Sequence, residues 1–134
     1  MSKSFRTDLA LLLTRVATGG LMLLHGYYKI INGHDKIGSL LVSAGLPEFI
    51  KYGVPVGEVI APILLIFGFL SIPSALIIAF TMITSIYLVF WDKLFTLNQT
   101  GGWIIELNVL FLVSSLTIAL IGPGKFALGK GKLS

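Results

Sequence analysis

The feature that most constrains this chain is a run of 33 residues, 59–91, that contains no Asp, Glu, Lys or Arg. A second uncharged run covers the 18 residues 107–124. Stretches of about 18 or more mainly apolar residues can cross the ~30 Å hydrocarbon core of a bilayer as a helix. Only 12% of the 134 residues are charged, against about 25% in soluble proteins. The chain is therefore predicted to be an all-α integral membrane protein.

The longer run must hold two helices. One helix through it would be about 50 Å long at ~1.5 Å per residue, and Pro73 lies in a polar break at residues 71–74. The pattern predicts a four-helix bundle with spans at residues 9–31, 52–70, 74–91 and 103–121. Residues 1–124 then make a single transmembrane domain, followed by a basic, flexible tail at 125–134.

The connection between the first two spans is longer than a minimal turn. Ile37, Leu40, Leu41 and Ala44 follow the spacing of one helix face, and Gly45 can end a helix. This pattern predicts a short amphipathic helix in the membrane interface that covers the outer end of the bundle. The alternative is a solvated loop that carries some apolar residues.

The positive charges outside the spans predict the orientation. The two termini carry five of them and the two loops on the opposite side carry three. Because cytoplasmic segments are enriched in Lys and Arg, both termini are expected in the cytoplasm. The net charge of +4 fits this bias, and no nucleic-acid partner is expected.

Charged residues inside the spans are the main functional signal. Arg15 and Lys29 lie in the first span, Glu58 in the second and Glu106 in the fourth. One charge at the centre of a membrane helix costs about 2.5–3.5 kcal/mol, so the two cations and two anions are expected to pair inside the bundle. Buried pairs can also be purely structural, and Lys29 near a helix end can extend to the interface without a partner.

Helical spacing places most of these residues together. Arg15, His25 and Lys29 share one face of the first span with Thr18 and Met22. The predicted topology puts His25, Lys29, Glu58 and Glu106 in the outer half, around a pocket with Arg15 at its floor. All five are candidate substrate-binding residues, and His25, Glu58 and Glu106 form a candidate proton relay. Pro62 cannot donate a hydrogen bond to the carbonyl of residue 58, which predicts a kink there.

Composition excludes several chemistries. Without cysteine the chain can form no disulfide, thiolate nucleophile or cysteine-ligated iron–sulfur cluster. Neither a metal site nor a covalently bound cofactor is expected, because no metal-binding pattern or second intramembrane histidine is present. Unaided electron transfer is therefore not expected.

The motifs taken in order resemble the DoxX family of small bacterial four-helix membrane proteins. They comprise Arg15, HGYYK at 25–29, AGLP at 44–47, Gly57-Glu58, GGWIIE at 101–106 and GPG at 122–124. The resemblance implies a multi-pass protein of the bacterial cytoplasmic (inner) membrane that is linked to respiration or to detoxification of oxidants and quinones. It also implies a site at Arg15, His25, Lys29, Glu58 and Glu106.

The resemblance makes a quinone-associated redox component the first hypothesis, with quinone as the candidate cofactor and a soluble or membrane redox protein as the candidate partner. An oxidoreductase subunit and an oligomer are both compatible with it. Two alternatives are a small proton-coupled transporter and a non-catalytic membrane anchor for soluble redox enzymes. Four-helix multidrug exporters carry their key glutamate in the first span, where this chain has Arg15, which argues against transport of cations.

Overall fold

The structure is a computed structural model and describes residues 2–32 and 35–129. Within these residues it is all-helical, with one isolated β-bridge between Leu97 and Trp103. This confirms the all-α part of the predicted fold class. The five helices are α1 (Lys3–Asn32), α2 (Asp35–Ser43), α3 (Glu48–Phe67), α4 (Ser71–Lys93) and α5 (Glu106–Ile121).

Three of the described helices, α1, α3 and α4, are long and apolar enough to cross a membrane. They have 30, 20 and 23 residues, and each extends beyond its predicted span at one or both ends. Helix α5 is also apolar, but it starts at Glu106, three residues after the predicted boundary, and has 16 residues. Its length of about 24 Å is less than the ~30 Å of a bilayer core. A fourth span therefore stays a prediction.

The break inside the uncharged run lies at residues 68–70, just before the predicted residues 71–74, which instead form the first turn of a helix. Helix α3 ends where Gly68 adopts a left-handed conformation with φ 72°, and Leu70 follows with φ 50°. Helix α4 begins at Ser71, with Pro73 in its first turn. Proline is tolerated there because the first N–H groups of a helix have no helical acceptor.

The four longer helices pack in the order α1, α3, α4, α5, and α5 also contacts α1. Their shared core is apolar. It consists of Met22, Ala61, Leu65, Ala75, Ile78, Met82, Phe111 and Ile118. Large apolar side chains such as Leu24, Phe80 and Leu120 are exposed on the outer faces. This arrangement suits an outer surface in contact with lipid.

The connection between α1 and α3 is the helix α2 rather than an irregular loop. Leu41 is buried beneath it, and Gly45 ends the segment with φ 77°. The helix contacts the first turns of α3 and residues 86–90 of α4. It thus covers one end of the helix assembly, as predicted, while its place in a membrane interface stays a prediction.

The segment after α5 is attached to the helices. The Lys125 N–H donates to Asp8 Oδ1 at 3.0 Å, and the Leu128 and Gly129 N–H groups donate to the carbonyls of Phe67 and Gly68 at 3.0 and 2.9 Å. The folded part therefore extends to Gly129, five residues beyond the predicted domain end at 124. The rest of the predicted tail, residues 130–134, lies outside the described residues.

Candidate functional site

An ion pair joins the first two membrane-length helices. Lys29 Nζ in the last turns of α1 donates to Glu58 Oε1 in α3 at 2.7 Å. The Glu58 side chain is 3% exposed and the Lys29 side chain 34%. The carboxylate is therefore enclosed, whereas the ammonium group keeps contact with the surroundings.

The second carboxylate oxygen of Glu58 is unusual. Oε2 is buried and has no hydrogen-bond partner among the residues that the structure describes. A buried acceptor without a donor costs about 1–3 kcal/mol, so native structures rarely keep one without a reason. The other buried side-chain polar atom without a partner among the described residues is Ser71 Oγ, which is a hydroxyl. Glu58 Oε2 is thus a carboxylate oxygen that is free to accept a hydrogen bond from a ligand.

Backbone contacts hold Glu58 in place. Its carbonyl oxygen lies so close to Gly26 of α1 that a Cβ atom at residue 26 would overlap with it. One residue earlier in the chain, Gly57 packs equally closely against the hydroxyl of Thr81 in α4. Both contacts require glycine, and they fix α3 between α1 and α4 at the depth of the ion pair.

Two π-helical segments lie at the ion pair, and the first of them contains Glu58. Val56–Ile60 in α3 and Ile86–Phe90 in α4 are π-helical. The first precedes Pro62, whose missing N–H removes the normal donor to the carbonyl of residue 58. Single π-turns occur often at functional sites, because they redirect side chains from a regular helix.

Two cavities meet at the ion pair. We call the first the polar cavity: it has a volume of about 290 Å³ and is lined by side chains from all four longer helices. The second, the apolar cavity, has about 320 Å³ and lies between α3 and α4 beneath α2. Lys29, Glu58, Ser85 and Val89 line both. The pair therefore forms part of the wall between the two spaces.

The polar cavity holds His25 and Asn108 in addition to the ion pair. The His25 ring packs edge-on against Phe111, with centroids 5.9 Å apart, and the residue remains exposed. Asn108 Nδ2 donates to Ser85 Oγ at 3.2 Å and to Met82 Sδ at 3.8 Å. Because a thioether sulfur is a weak acceptor, a ligand oxygen can replace it. Lys29, His25, Asn108 and Ser85 can thus offer hydrogen-bond donors around one buried acceptor.

Arg15 lies elsewhere. Its guanidinium donates to four backbone carbonyls, those of Leu65 and Ile66 in the last turn of α3 and those of Pro123 and Phe126 after α5. The residue is 1% exposed. Two of these contacts are to the C-terminus of α3, where a positive charge is favourable. The Leu65 carbonyl also accepts from the Gly68 N–H at 3.1 Å, so Arg15 adds a second donor there. Arg15 therefore joins the C-terminal end of α3 to the segment after α5. It does not form the floor of the predicted pocket.

Glu106 is also separate from the ion pair. It is the first residue of α5, is exposed, and its Oε1 accepts a hydrogen bond from Asn98 Nδ2 at 3.2 Å. Described residues that line the two cavities do not include it. Of the five predicted site residues, the structure brings together His25, Lys29 and Glu58.

Asn108 and Ser85 were not among the predicted site residues. Asn108 lies two positions after Glu106, which is about 200° around a helix, so the two cannot share a face. Sequence analysis could have found it as the single carboxamide inside an uncharged run. Ser85 gives a weaker signal, because serines are common in packed membrane helices.

Comparison with known proteins places this arrangement in a family. The sequence model of the DoxX family matches residues 10–91, more than half of the chain. The chain belongs to the DoxX family. A Bacillus subtilis (strain 168) protein named "Putative oxidoreductase CatD" is 32% identical over 128 residues, which cover 96% of this chain and 89% of that protein. No solved structure matches.

The part that matches the DoxX family contains His25, Lys29 and Glu58, together with both π-helical segments. Glu106 and Asn108 lie beyond it. Membership agrees with the three membrane-length helices, and the chain is a DoxX membrane protein.

Proposed function

We propose that this protein is a redox-linked component of the bacterial inner membrane that binds a quinone or quinol ring at the Lys29–Glu58 pair. The observation that carries the proposal is the buried, unpartnered Glu58 Oε2 at the boundary of two cavities. A pocket with apolar walls and a few convergent polar groups is the usual form of a small-molecule site. The name of the Bacillus relative supports a redox role for the family.

The polar groups fit both redox forms of such a ring. A quinol hydroxyl is a donor and can satisfy Glu58 Oε2, the acceptor that lacks a partner. A quinone carbonyl is an acceptor and requires the N–H donors that Lys29, His25 and Asn108 place around the polar cavity. The apolar side chains Met22 and Phe111 then enclose the ring faces.

Proton exchange is the chemistry that these residues can perform. Oxidation of a quinol to a quinone releases two protons and two electrons. Glu58 is placed to accept the proton of one hydroxyl at Oε2, and Lys29 Nζ stabilises the carboxylate before that transfer. The proton of the opposite hydroxyl goes to the imidazole of His25, which lines the same cavity. The exposed His25 can pass the proton from the polar cavity to water. The electrons go to a soluble or membrane redox partner protein, which makes this chain a subunit rather than a complete oxidoreductase.

Direct binding tests the proposal. The full chain, purified in detergent micelles, is titrated with 2-methyl-1,4-naphthoquinone and with its reduced quinol in an isothermal calorimeter. Saturable binding at one site per chain is expected. Glu58→Gln should weaken quinol binding by about tenfold, because it replaces the anionic acceptor by a neutral amide. Absence of saturable binding to both forms would reject the proposed function.

A matched control is available in the second ion pair. Lys51 Nζ and Glu48 Oε1 are 3.0 Å apart, and the Glu48 side chain is 59% exposed. Glu48→Gln removes the same charge from α3 outside the polar cavity. It should leave both affinities within about twofold of the unmodified protein. An equal loss in Glu48→Gln would show that net charge, rather than the buried acceptor, controls binding.

A further inference from the structure

The apolar cavity continues beyond the ion pair. On the far side from Glu58 it adjoins a third space of about 500 Å³, which we call the outer groove, lined by Leu46, Ile83, Ile86, Tyr87 and Trp91 among others. Leu41, Ile50, Phe80 and Thr84 line both spaces. The two cavities are therefore adjacent, with a common wall of four side chains.

The polarity of the lining side chains falls from the ion pair through the apolar cavity to the outer groove. At one end stand the charged Lys29 and Glu58. No charged side chain lines the outer groove among the described residues. The hydroxyl of Thr84, on the common wall, donates to the carbonyl of Phe80 at 2.9 Å, so its proton is already used. A path with one polar end and a long apolar remainder matches an amphipathic molecule with a small head and a hydrocarbon tail.

The dimensions exceed what a single ring requires. Along α4 the apolar cavity is lined from Ile77 to Val89 and the outer groove from Phe80 to Trp91. The two spaces therefore lie side by side over about 14 Å of this helix at ~1.5 Å per residue. Side chains at the groove mouth, Phe80, Tyr87 and Trp91, are all exposed on the outer surface of α4. Because aromatic side chains such as Tyr and Trp favour the edges of a membrane, the mouth faces the lipid near its surface.

We infer that the ligand of the Lys29–Glu58 pair is a membrane-borne quinone or quinol whose hydrocarbon tail runs through the apolar cavity and the outer groove beneath α2. The inference rests on the proposed function and narrows it from any quinone-like ring to a lipid-soluble one. Lipid chains are as apolar as the groove, so the tail contributes orientation and selection more than affinity. Helix α2 forms the roof of the path through the buried Leu41.

The test compares two ligands that share one ring. 2-Methyl-1,4-naphthoquinone is titrated into the full-length protein with and without an isoprenoid tail, and heats of mixing with empty micelles are subtracted. Leu41→Trp fills the common wall from α2, and Thr84→Phe fills it from α4. Each variant should weaken binding of the tailed ligand about tenfold or more, because the new side chain overlaps with the tail when the ring lies at the ion pair. The tail-less ligand should change by less than about twofold.

Val42→Trp is the matched control, because Val42 adjoins Leu41 on α2 but is 59% exposed. It should change neither affinity. Equal losses for both ligands, or none for either, in a folded Leu41→Trp or Thr84→Phe protein would overturn the tail path. The proposed function would still stand where the unmodified protein binds both rings. Binding of neither ring by the unmodified protein would reject both proposals.

Discussion

The backbone carbonyl oxygen of Glu58 lies against the Cα of Gly26 with no space for a methyl group between them. This contact sets the distance between α1 and α3 one turn away from Lys29, which lies three residues after Gly26. The geometry of the ion pair therefore depends on Gly26, although this residue has no side chain that could take part in the pair.

Gly26→Ala is expected to separate α1 from α3 and to weaken the Lys29–Glu58 contact. Overpacking of this kind costs about 1–3 kcal/mol of stability, and ligand affinity should fall with it. Gly20→Ala is the control, since nothing lies within 4 Å of a Cβ at residue 20. Thermal unfolding in micelles should show a lower midpoint for Gly26→Ala alone. Equal midpoints would contradict the role of this contact.

The ion pair can be dissected with a double-mutant cycle. Lys29→Met leaves the buried Glu58 carboxylate without its counter-charge. The expected loss is about 2–3 kcal/mol, below the ~3–5 kcal/mol of a fully buried pair, because the Lys29 side chain is 34% exposed. Lys29→Met with Glu58→Gln should recover most of the stability, measured by thermal unfolding.

The same double variant separates structure from function. If the pair only holds helices together, the stabilised double variant should bind the naphthoquinol as well as the unmodified protein. We expect instead that it folds and binds at least about tenfold more weakly, because the anionic acceptor and its cation are both gone. Full binding by the double variant would contradict the proposed site.

Arg15 is expected to affect stability rather than ligand binding. Arg15→Lys cannot reproduce its planar fork of donors, so some of the carbonyls of Leu65, Ile66, Pro123 and Phe126 lose their partner. At about 1–3 kcal/mol for each unsatisfied buried group, a total loss of at least ~3 kcal/mol is expected. Limited proteolysis should cut the C-terminal segment faster than in the unmodified protein.

Arg6→Lys is the control for this substitution, because Arg6 is on the same helix but exposed. It should leave both stability and proteolysis unchanged. A folded Arg15→Lys protein of normal stability that fails to bind the naphthoquinone would instead support the sequence-based prediction of Arg15 as a substrate-binding residue.

Glu106 and Asn108 make a matched pair on α5. Glu106→Gln should change naphthoquinone affinity by less than about twofold, since Glu106 is exposed and hydrogen-bonded to Asn98. Asn108→Ala removes a donor from the polar cavity and frees Ser85 Oγ. It should weaken quinone binding by about fivefold to tenfold. If calorimetric titrations showed a larger loss of affinity for Glu106→Gln than for Asn108→Ala, the site would include Glu106 rather than Asn108.

The sequence allowed the helices and one half of the site to be predicted. Uncharged runs located the long helices, because a bilayer core fixes their length and composition. Helical spacing placed Arg15, Thr18 and Met22 on one face, and all three are buried. The need to neutralise charge indicated that cations and anions inside the spans would pair, without indicating which. The structure shows one such pair, Lys29 with Glu58.

The other half could not be predicted from these rules. An intramembrane arginine can be satisfied by an anion or by carbonyls, and spacing does not distinguish them. For Arg15 two of the four carbonyls come from a segment more than 100 residues away. The predicted position of the Glu106 side chain depended on where α5 starts. A shift of three residues in that start moves the side chain from inside the bundle to the end of the helix.

The carbonyls that hold Arg15 also couple distant parts of the chain during folding. The guanidinium lies in α1, and two of its acceptors, the carbonyls of Pro123 and Phe126, lie in the segment after α5. Until that segment docks, two acceptors of a charge inside a membrane-length helix are absent and its burial is unfavourable. Docking of the segment after α5 is therefore expected to complete the assembly of α1, α3 and α5.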